Sequence, residues 1–168
     1  MQAALNAMNC IATRAYFTGA ALHIDLNRPD TRNAMSLQMV AELRQLLLAA
    51  EASAGQPDAV RVVVLRGAGG HFSAGADLKD MAAARMRAMQ APAAGGGANS
   101  ATQDPIAEVN AAFGDLCVAY ARTPLAVVAV LEGTVMGGGF GLACVADMAI
   151  ASETANFRLP ETALGLVP

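Results

Sequence analysis

The stretch Gly133-Thr-Val-Met-Gly-Gly-Gly-Phe-Gly-Leu-Ala-Cys-Val-Ala-Asp147 is the strongest structural signal in this chain. The apolar run at residues 125–131 precedes it, and an apolar pattern with helical spacing begins at Phe140. The pattern predicts a strand, a tight turn at the three consecutive glycines and then a helix. Glycine lets the backbone approach a ligand closely, and the free N–H groups at a helix start favour negative charge. The turn therefore suits an enolate or a phosphate, and the glycines alone do not choose between them.

A second turn of the same kind lies upstream, in His71-Phe-Ser-Ala-Gly-Ala-Asp-Leu-Lys-Asp-Met81. It follows the apolar run at residues 60–65 and leads into another predicted helix. Together the two turns strongly resemble the enoyl-CoA hydratase/isomerase (crotonase) family, whose motifs read F-x-A-G-A-D-L-K and G-x-x-x-G-G-G-x-x-L-A-x-x-x-D. The stretch Leu26-Asn-Arg-Pro-Asp-Thr-Arg-Asn-Ala-Met35 also resembles the first strand-to-helix junction of that family. The resemblance covers residues 15–168.

Strands and helices are expected to alternate along the chain. Residues 16–26 alternate in the manner of a hairpin or paired strands, and residues 37–50 keep helical spacing after an expected cap at Ser36. A further helix is expected to begin at Asp104, to run through apolar positions that include Phe113, and to end near Thr123-Pro124. Short apolar strands that alternate with helices favour an α/β fold with a parallel sheet covered by helices. The resemblance narrows this fold to the crotonase spiral of ββα units with parallel sheet layers.

The domain organisation follows from the same resemblance. Residues 1–168 are expected to form one crotonase-like catalytic core. Family members continue past the position of Pro168 with helices that complete the acyl pocket and the trimer interface, so this C-terminal helical part is expected to be absent from the chain. Residues 90–104 are rich in Ala and Gly, which is typical of a linker. Their position after the first turn favours a mobile lid over the substrate instead.

Composition excludes several classes of function. The 168 residues are 55% hydrophobic, but no apolar stretch is long enough to span a bilayer, and the N-terminus lacks the pattern of a signal peptide. The net charge of −3 provides no basic field for nucleic acid. The three cysteines, widely spaced and without a CxxC pair, favour neither a disulfide framework nor a zinc site, and are expected to fill apolar space. We expect a cytoplasmic protein without membrane or nucleic-acid partners.

The resemblance implies which residues perform the chemistry. The backbone N–H groups of Ala76 and Gly138 would bind the oxygen of an acyl-CoA thioester, and Glu161, in Phe157-Arg-Leu-Pro-Glu161, matches the acid/base glutamate of the family. Two fixed N–H donors stabilise the enolate that forms when an α,β-unsaturated thioester is hydrated or isomerised. A carboxylate can then carry the proton. Coenzyme A enters as part of the substrate, and no metal or separate cofactor is expected.

One position departs from the family pattern. Typical hydratases read Gly-Gly-Gly-x-Glu-Leu-Ala, with a second glutamate that helps to hold the water, and Gly141 stands at that position here. The variant resembles hydratases of branched glutaconyl-type acyl-CoAs, so the favoured prediction is an enoyl-CoA hydratase, an acyl-CoA lyase. One carboxylate also suffices for a proton shuttle, which makes an enoyl-CoA isomerase the alternative. A non-catalytic module that binds coenzyme A or serves assembly is the alternative from another class.

The remaining candidate residues would hold the substrate. Arg28 and Arg32, with Lys79, are candidates for the coenzyme A phosphates, and the resemblance implies that backbone at Ser73 and Ala74 holds the adenine. The substrate-binding set also includes Gly141 and Asp77, although Asp77 is expected to cap the helix after the first turn. His71 is expected to position its neighbours, and Asp147 to anchor a loop. The family implies a homotrimer or hexamer for the full-length protein.

Overall fold

Seven strands and four α-helices make up the fold that the computed structural model describes for residues 8–90 and 105–164. The strands are β1 (Thr13–Thr18), β2 (Ala21–Leu26), β3 (Val62–Gly67), β4 (Ala126–Leu131), β5 (Thr134–Met136), β6 (Met148–Ala151) and β7 (Asn156–Arg158). The helices are α1 (Leu37–Glu51), α2 (Leu78–Gln90), α3 (Pro105–Arg122) and α4 (Gly138–Cys144). The predicted lid falls on residues that lie outside the described ranges, except for Gln90 at the end of α2.

The main sheet has five strands in the order β1-β2-β3-β4-β6. Strands β1 and β2 form an antiparallel hairpin in which Thr13 pairs with Leu26, and the other neighbours in this sheet pair in parallel. Alternate residues of the central strands face the core, as in Leu22 and Ile24 of β2 or Val63 and Leu65 of β3, all with 0% exposure. The predicted hairpin and the predicted parallel α/β sheet are both confirmed.

Helix α1 covers one face of this sheet. Ser36 caps the helix, as the sequence predicted, by accepting a hydrogen bond of 3.2 Å from the Met39 N–H. Its buried side chains include Leu43, Leu46 and Leu47. Tyr120 of α3 is buried against α1 and donates its hydroxyl proton to the Leu43 carbonyl at 3.2 Å. Helices α1 and α3 therefore share one core with the sheet.

The prediction for the glycine-rich stretch was wrong in one respect, because a second, two-stranded sheet precedes the glycines. The apolar run of β4 was expected to lead directly into the three glycines. Instead the chain leaves the main sheet at Gly133, which has φ +52°, and forms the short strand β5 before the glycines. Strand β5 pairs in parallel with β7. A three-residue strand carries too little periodic pattern to be recognised in the sequence.

Glu42 ties the strand β1 to helix α1, a role that the sequence did not reveal. Its side chain is 2% exposed and accepts hydrogen bonds from the Ile11 and Ala12 N–H groups and from the Thr13 hydroxyl, at 2.8–3.2 Å. Burial alone would raise the pKa of Glu42. The hydrogen bonds from Gln38, Ile11, Thr13 and Ala12 outweigh burial and hold its pKa below the usual value.

Replacing Glu42 with glutamine is expected to lower the free energy of unfolding by about 2 kcal/mol near neutral pH, because an amide cannot match a carboxylate that accepts several N–H and O–H donors. The lowered pKa means that this contribution is complete above the pKa of an unfolded glutamate, about 4.3, and disappears as the pH falls through the folded-state pKa. Urea titrations at several pH values would measure it. Glu108→Gln, on the exposed side of α3, is the matched control. A loss that does not shrink in acid would contradict this role of the charge.

None of the helices in the described ranges has the length and apolar content that a bilayer crossing requires. The cysteine prediction holds only in part. Cys10 and Cys117 are partly buried, and burial raises the pKa of the Cys117 thiol to about 11. Cys144 is exposed at the end of α4, so it does not fill apolar space.

Candidate active site

The small sheet brings three segments of the chain together. Ser73 forms a bridge with Val135 of β5, and Val135 pairs with Phe157 of β7. The Met136 N–H donates to the Ser73 carbonyl at 2.9 Å, and the Gly137 N–H donates to the Arg158 carbonyl at 3.0 Å. The first glycine turn, the second glycine turn and the segment that contains Glu161 therefore meet beside this sheet.

Each turn contains a glycine with positive φ, and the two turns approach each other most closely at Gly75. Gly75 has φ +93°, and a Cβ there would lie 2.9 Å from the Met136 carbonyl oxygen and 3.5 Å from the Gly138 nitrogen. Gly137 has φ +50°, and a Cβ there would collide with the carboxylate of Glu161. Both backbones are in the left-handed region that glycine adopts without strain. The two glycines thus place Ala76, Gly138 and Glu161 around one small volume.

The amides of Ala76 and Gly138 have no acceptor among the described residues. Ala76 forms a parallel bridge with Met35 in which Gly75 O accepts from the Met35 N–H and Met35 O accepts from the Asp77 N–H. In such a bridge the N–H of the central residue points away from the partner strand. Gly138 is the first residue of α4, where the backbone N–H groups have no partner within the helix. Two N–H donors are therefore available to a ligand.

Glu161 supplies the carboxylate on one side of these donors. It lies in the short 3-10 turn Pro160–Leu164, and its Oε1 atom is in contact with Gly137. Its Oε2 atom is buried and has no hydrogen-bond partner among the residues that the structure describes. A buried, unpaired carboxylate oxygen is costly for a folded protein. Such a group is typical of a site where a ligand or water completes the hydrogen bonding.

Apolar side chains line the other side of the Gly138 amide. A Cβ on Gly138 would lie 3.0 Å from the Met35 Cε atom and 3.2 Å from the Phe113 Cζ atom. A Cβ on Gly141, where family members carry the second glutamate, would lie 3.6 Å from the Phe113 ring. Phe113 was only one of the apolar positions of a predicted helix, and no feature of the sequence related it to the glycine turns.

Arg28 is engaged with Asp77 in the described structure. Its Nη1 atom forms an ion pair of 2.6 Å with Asp77 Oδ2 and donates to the Ala34 carbonyl at 2.6 Å. Asp77 Oδ1 accepts from the Lys79 N–H at 2.8 Å, which confirms the predicted helix cap. Burial alone would raise the pKa of Asp77, but the hydrogen bond from Arg28 and the helix amides hold it below its usual value. A phosphate would have to compete with Asp77 for Arg28.

The other predicted substrate-binding residues differ in their exposure and in how many of their polar groups already have hydrogen-bond partners. Arg32 and Lys79 are exposed, and Arg32 lines an open cleft of about 360 Å³ together with His71 and Arg158. Ser73 is fully buried and its backbone is engaged, since its N–H donates to the Thr134 carbonyl and its carbonyl accepts from the Met136 N–H. The Ala74 N–H donates to the Arg32 carbonyl. Only the Ala74 carbonyl has no partner in the described part of the chain, so it is the remaining backbone candidate for the adenine.

Two predicted structural roles are confirmed. His71 accepts a hydrogen bond of 3.1 Å on Nδ1 from the Thr134 N–H, so it positions the start of β5. Asp147 accepts from the Val127 N–H at 2.8 Å and anchors the turn after α4 to strand β4.

Asn33 is a positioning residue that sequence reasoning missed. Its side chain is 0% exposed and donates to the Ala68 and His71 carbonyls at 2.8 and 2.7 Å, while its amide oxygen accepts from the Arg28 N–H at 2.8 Å. Its own carbonyl accepts from the Ser73 hydroxyl at 2.8 Å. Its φ of +56° is one that asparagine tolerates better than most residues. Asn33 thus joins the first strand-to-helix junction to the first glycine turn.

Replacing Asn33 with alanine is expected to lower the free energy of unfolding by about 3 kcal/mol, because it removes a buried amide and leaves two partly buried carbonyls without donors. Asn33→Gly is the matched control, since it loses the same hydrogen bonds but keeps the left-handed backbone accessible. Chemical denaturation would compare the two. A stability of Asn33→Gly equal to that of the unmodified protein would show that only the backbone conformation matters.

Comparison with known proteins gives this geometry its context. A sequence profile of the enoyl-CoA hydratase/isomerase family matches residues 21–168. The chain belongs to this family. Its crotonase fold is shared with an enoyl-CoA hydratase/isomerase from Marinobacter aquaeolei, which is 48% identical with a TM-score of 0.79 over 94% of this chain and 55% of that one. Pseudomonas aeruginosa AtuE is 46% identical, with a TM-score of 0.79 over 94% and 54% of the two chains.

Curated relatives of this enoyl-CoA hydratase/isomerase family member include proteins with different activities in their names. The 3-hydroxyisobutyryl-CoA hydrolase 1 of Arabidopsis thaliana is 37% identical over 86% of this chain and 34% of its own length. The probable enoyl-CoA hydratase echA8 of Mycobacterium leprae is 35% identical over 86% of this chain and 48% of its own length. The chain thus spans half or less of these curated relatives.

Proposed function

We propose that the protein that carries this chain adds water across the α,β double bond of an enoyl-CoA thioester. The observation that supports this most strongly is the position of Glu161. Its buried Oε2 atom has no partner among the described residues, and its Oε1 atom lies against Gly137, the residue before the free Gly138 amide. A carboxylate beside two free N–H donors is the arrangement that enolate chemistry requires.

In the proposed reaction the thioester oxygen accepts hydrogen bonds from the Ala76 and Gly138 amides. Glu161 takes a proton from a water molecule as the water oxygen bonds to the β-carbon, and the double-bond electrons move to the thioester oxygen as an enolate. The two amides stabilise that charge more than the neutral thioester. Glu161 then returns the proton to the α-carbon. The product gains one water, and no cofactor beyond the coenzyme A of the substrate is needed.

The substrate is proposed to be a branched or carboxylated enoyl-CoA of the glutaconyl type. Gly141 supports this, because no charged side chain projects from the position of the second family glutamate, and a Cβ there would meet the apolar ring of Phe113. Arg32 and Lys79, both exposed, are proposed to contact the coenzyme A phosphates, with Arg28 contributing once a ligand competes for it. We further propose a cytoplasmic homotrimer or hexamer for the full-length protein.

An enoyl-CoA isomerase is the second candidate, and one observation favours it. Glu161 supplies the only carboxylate among the nearest neighbours of the turn glycines in the described ranges, and one carboxylate can remove a proton from one carbon and return it to another. The two reactions differ in their products, since isomerisation leaves the mass unchanged.

Incubating the full-length protein with a panel of enoyl-CoA thioesters, followed by mass detection, tests the proposal. The panel would contain short, long, branched and carboxylated acyl chains. A product heavier by one water is expected for at least one of them. A product of unchanged mass with a moved double bond would favour the isomerase. Binding of coenzyme A thioesters without any product would favour the non-catalytic module.

A further inference from the structure

The aromatic ring of Phe113 is the nearest neighbour of position 141, where typical hydratases of the family carry the second glutamate. A Cβ on Gly141 would be in ordinary contact with the ring, at 3.6 Å from both Cε1 and Cζ. There is thus room for a methyl group at position 141, and a longer side chain that extends towards α3 would meet the ring. Phe113 is half-buried on α3 and packs against the hydrophobic core, which holds the ring in place.

The two sides of the candidate site differ in polarity. At Gly137 the nearest side chain is the carboxylate of Glu161, whereas at Gly138 the nearest side chains are those of Met35 and Phe113. A thioester oxygen bound to the Gly138 amide would therefore have a carboxylate on one side and an apolar wall on the other. The β-carbon is three bonds from that oxygen, so a substituent on it is within reach of the wall.

We infer that Phe113 is a specificity-determining residue that favours an apolar branch on the β-carbon of the enoyl chain and takes the place of a second carboxylate. This inference rests on the proposed hydratase function. An apolar branch would contact the ring and be removed from solvent, which is favourable. Apolar pockets distinguish substrates that differ by one methyl group by about tenfold or more in kcat/KM. On this inference, a glutamate at position 141 and the phenyl ring at position 113 compete for the same space.

The first test compares 3-methylcrotonyl-CoA with crotonyl-CoA in the full-length protein. The ratio of their kcat/KM values is expected to fall by about tenfold in Phe113→Ala, and to change little in Val118→Ala, an exposed position on the same helix. A general loss of stability would lower both rates and leave the ratio unchanged. An unchanged ratio in Phe113→Ala, with water still added to either thioester, would overturn the role of Phe113 and leave the proposed function intact. No water added by the unmodified protein to either thioester would overturn the role of Phe113, and only a lack of hydration across the whole panel would overturn the proposed function as well.

The second test is a double-mutant cycle between positions 113 and 141. Gly141→Glu alone is expected to lower kcat/KM for both thioesters by about tenfold or more, because the glutamate meets the ring. Phe113→Ala combined with Gly141→Glu is expected to recover hydration of the unbranched thioester above that of either single variant. Additive effects of the two substitutions would overturn the inference that the ring occupies the place of the carboxylate.

Discussion

Replacing Glu161 with glutamine is expected to lower kcat by about 10²-fold or more while the thioester still binds. Glutamine keeps the shape of the side chain beside Gly137 but cannot take a proton from water. The loss should appear in kcat rather than in KM, because the carboxylate is proposed to act in the reaction step. Steady-state kinetics with the substrate that the panel identifies would measure it.

Glu153→Gln is the matched control for this prediction. Glu153 is exposed in the turn before β7, so the same change in charge occurs a few residues away on the same segment. Its kcat is expected to stay within about twofold of the unmodified protein, since exposed charges far from a site contribute little. A Glu161→Gln variant that retains its rate would refute the assignment of Glu161 as the base.

Gly138→Pro is expected to lower kcat by about 10²–10³-fold, because it removes one of the two N–H donors that we propose for the thioester oxygen. Position 138 is the first residue of α4, where proline is accepted because no helical hydrogen bond needs that N–H. The fold should therefore survive, and circular dichroism together with thioester binding would check it.

Gly138→Ala is the control that distinguishes the effect of the lost N–H donor from the effect of an added side chain. Its Cβ meets Met35 and Phe113 in the same way as that of proline, but its N–H group remains. We expect Gly138→Ala to be clearly more active than Gly138→Pro. Equal activity of two folded variants would mean that crowding near Phe113, and not the lost donor, limits the rate.

Local patterns were enough to predict the main sheet and its helices. The period-two alternation before Leu26 and the helical spacing after Ser36 both correspond to elements of the structure, because each element buries one face in a common core. The first glycine turn was recognised as part of a motif, and Asp77 caps its helix as expected. Signals that depend on residues near one another in the chain are thus readable from the sequence.

Contacts between distant segments were not predictable in this way. Glu42 bonds to backbone about thirty residues away, and Asn33 bonds to carbonyls more than thirty residues away, yet each is an ordinary polar residue in its local context. The strands β5 and β7 are three residues each and carry no clear period. Phe113 reached the glycine turn only through the packing of α3, which no local pattern specifies.

The candidate site lies between these two cases. The structure brings Ala76, Gly138 and Glu161 together, although they come from three separate motifs. Their grouping was expected only from the family resemblance, which supplies information about distant contacts that residue spacing lacks. The resemblance did not include the pairing of Arg28 with Asp77, which depends on the particular side chains of this chain.

The central claim is that the Ala76 and Gly138 amides hold the thioester oxygen beside Glu161. Infrared spectroscopy of a bound enoyl-CoA with a ¹³C-labelled thioester carbonyl tests it most directly, in Glu161→Gln so that turnover is arrested. The carbonyl stretch is expected to shift to lower frequency on binding, because two N–H donors polarise the bond. The shift should largely disappear when Gly138→Pro is added. A carbonyl frequency that equals that of the free thioester in bound Glu161→Gln would contradict the claim.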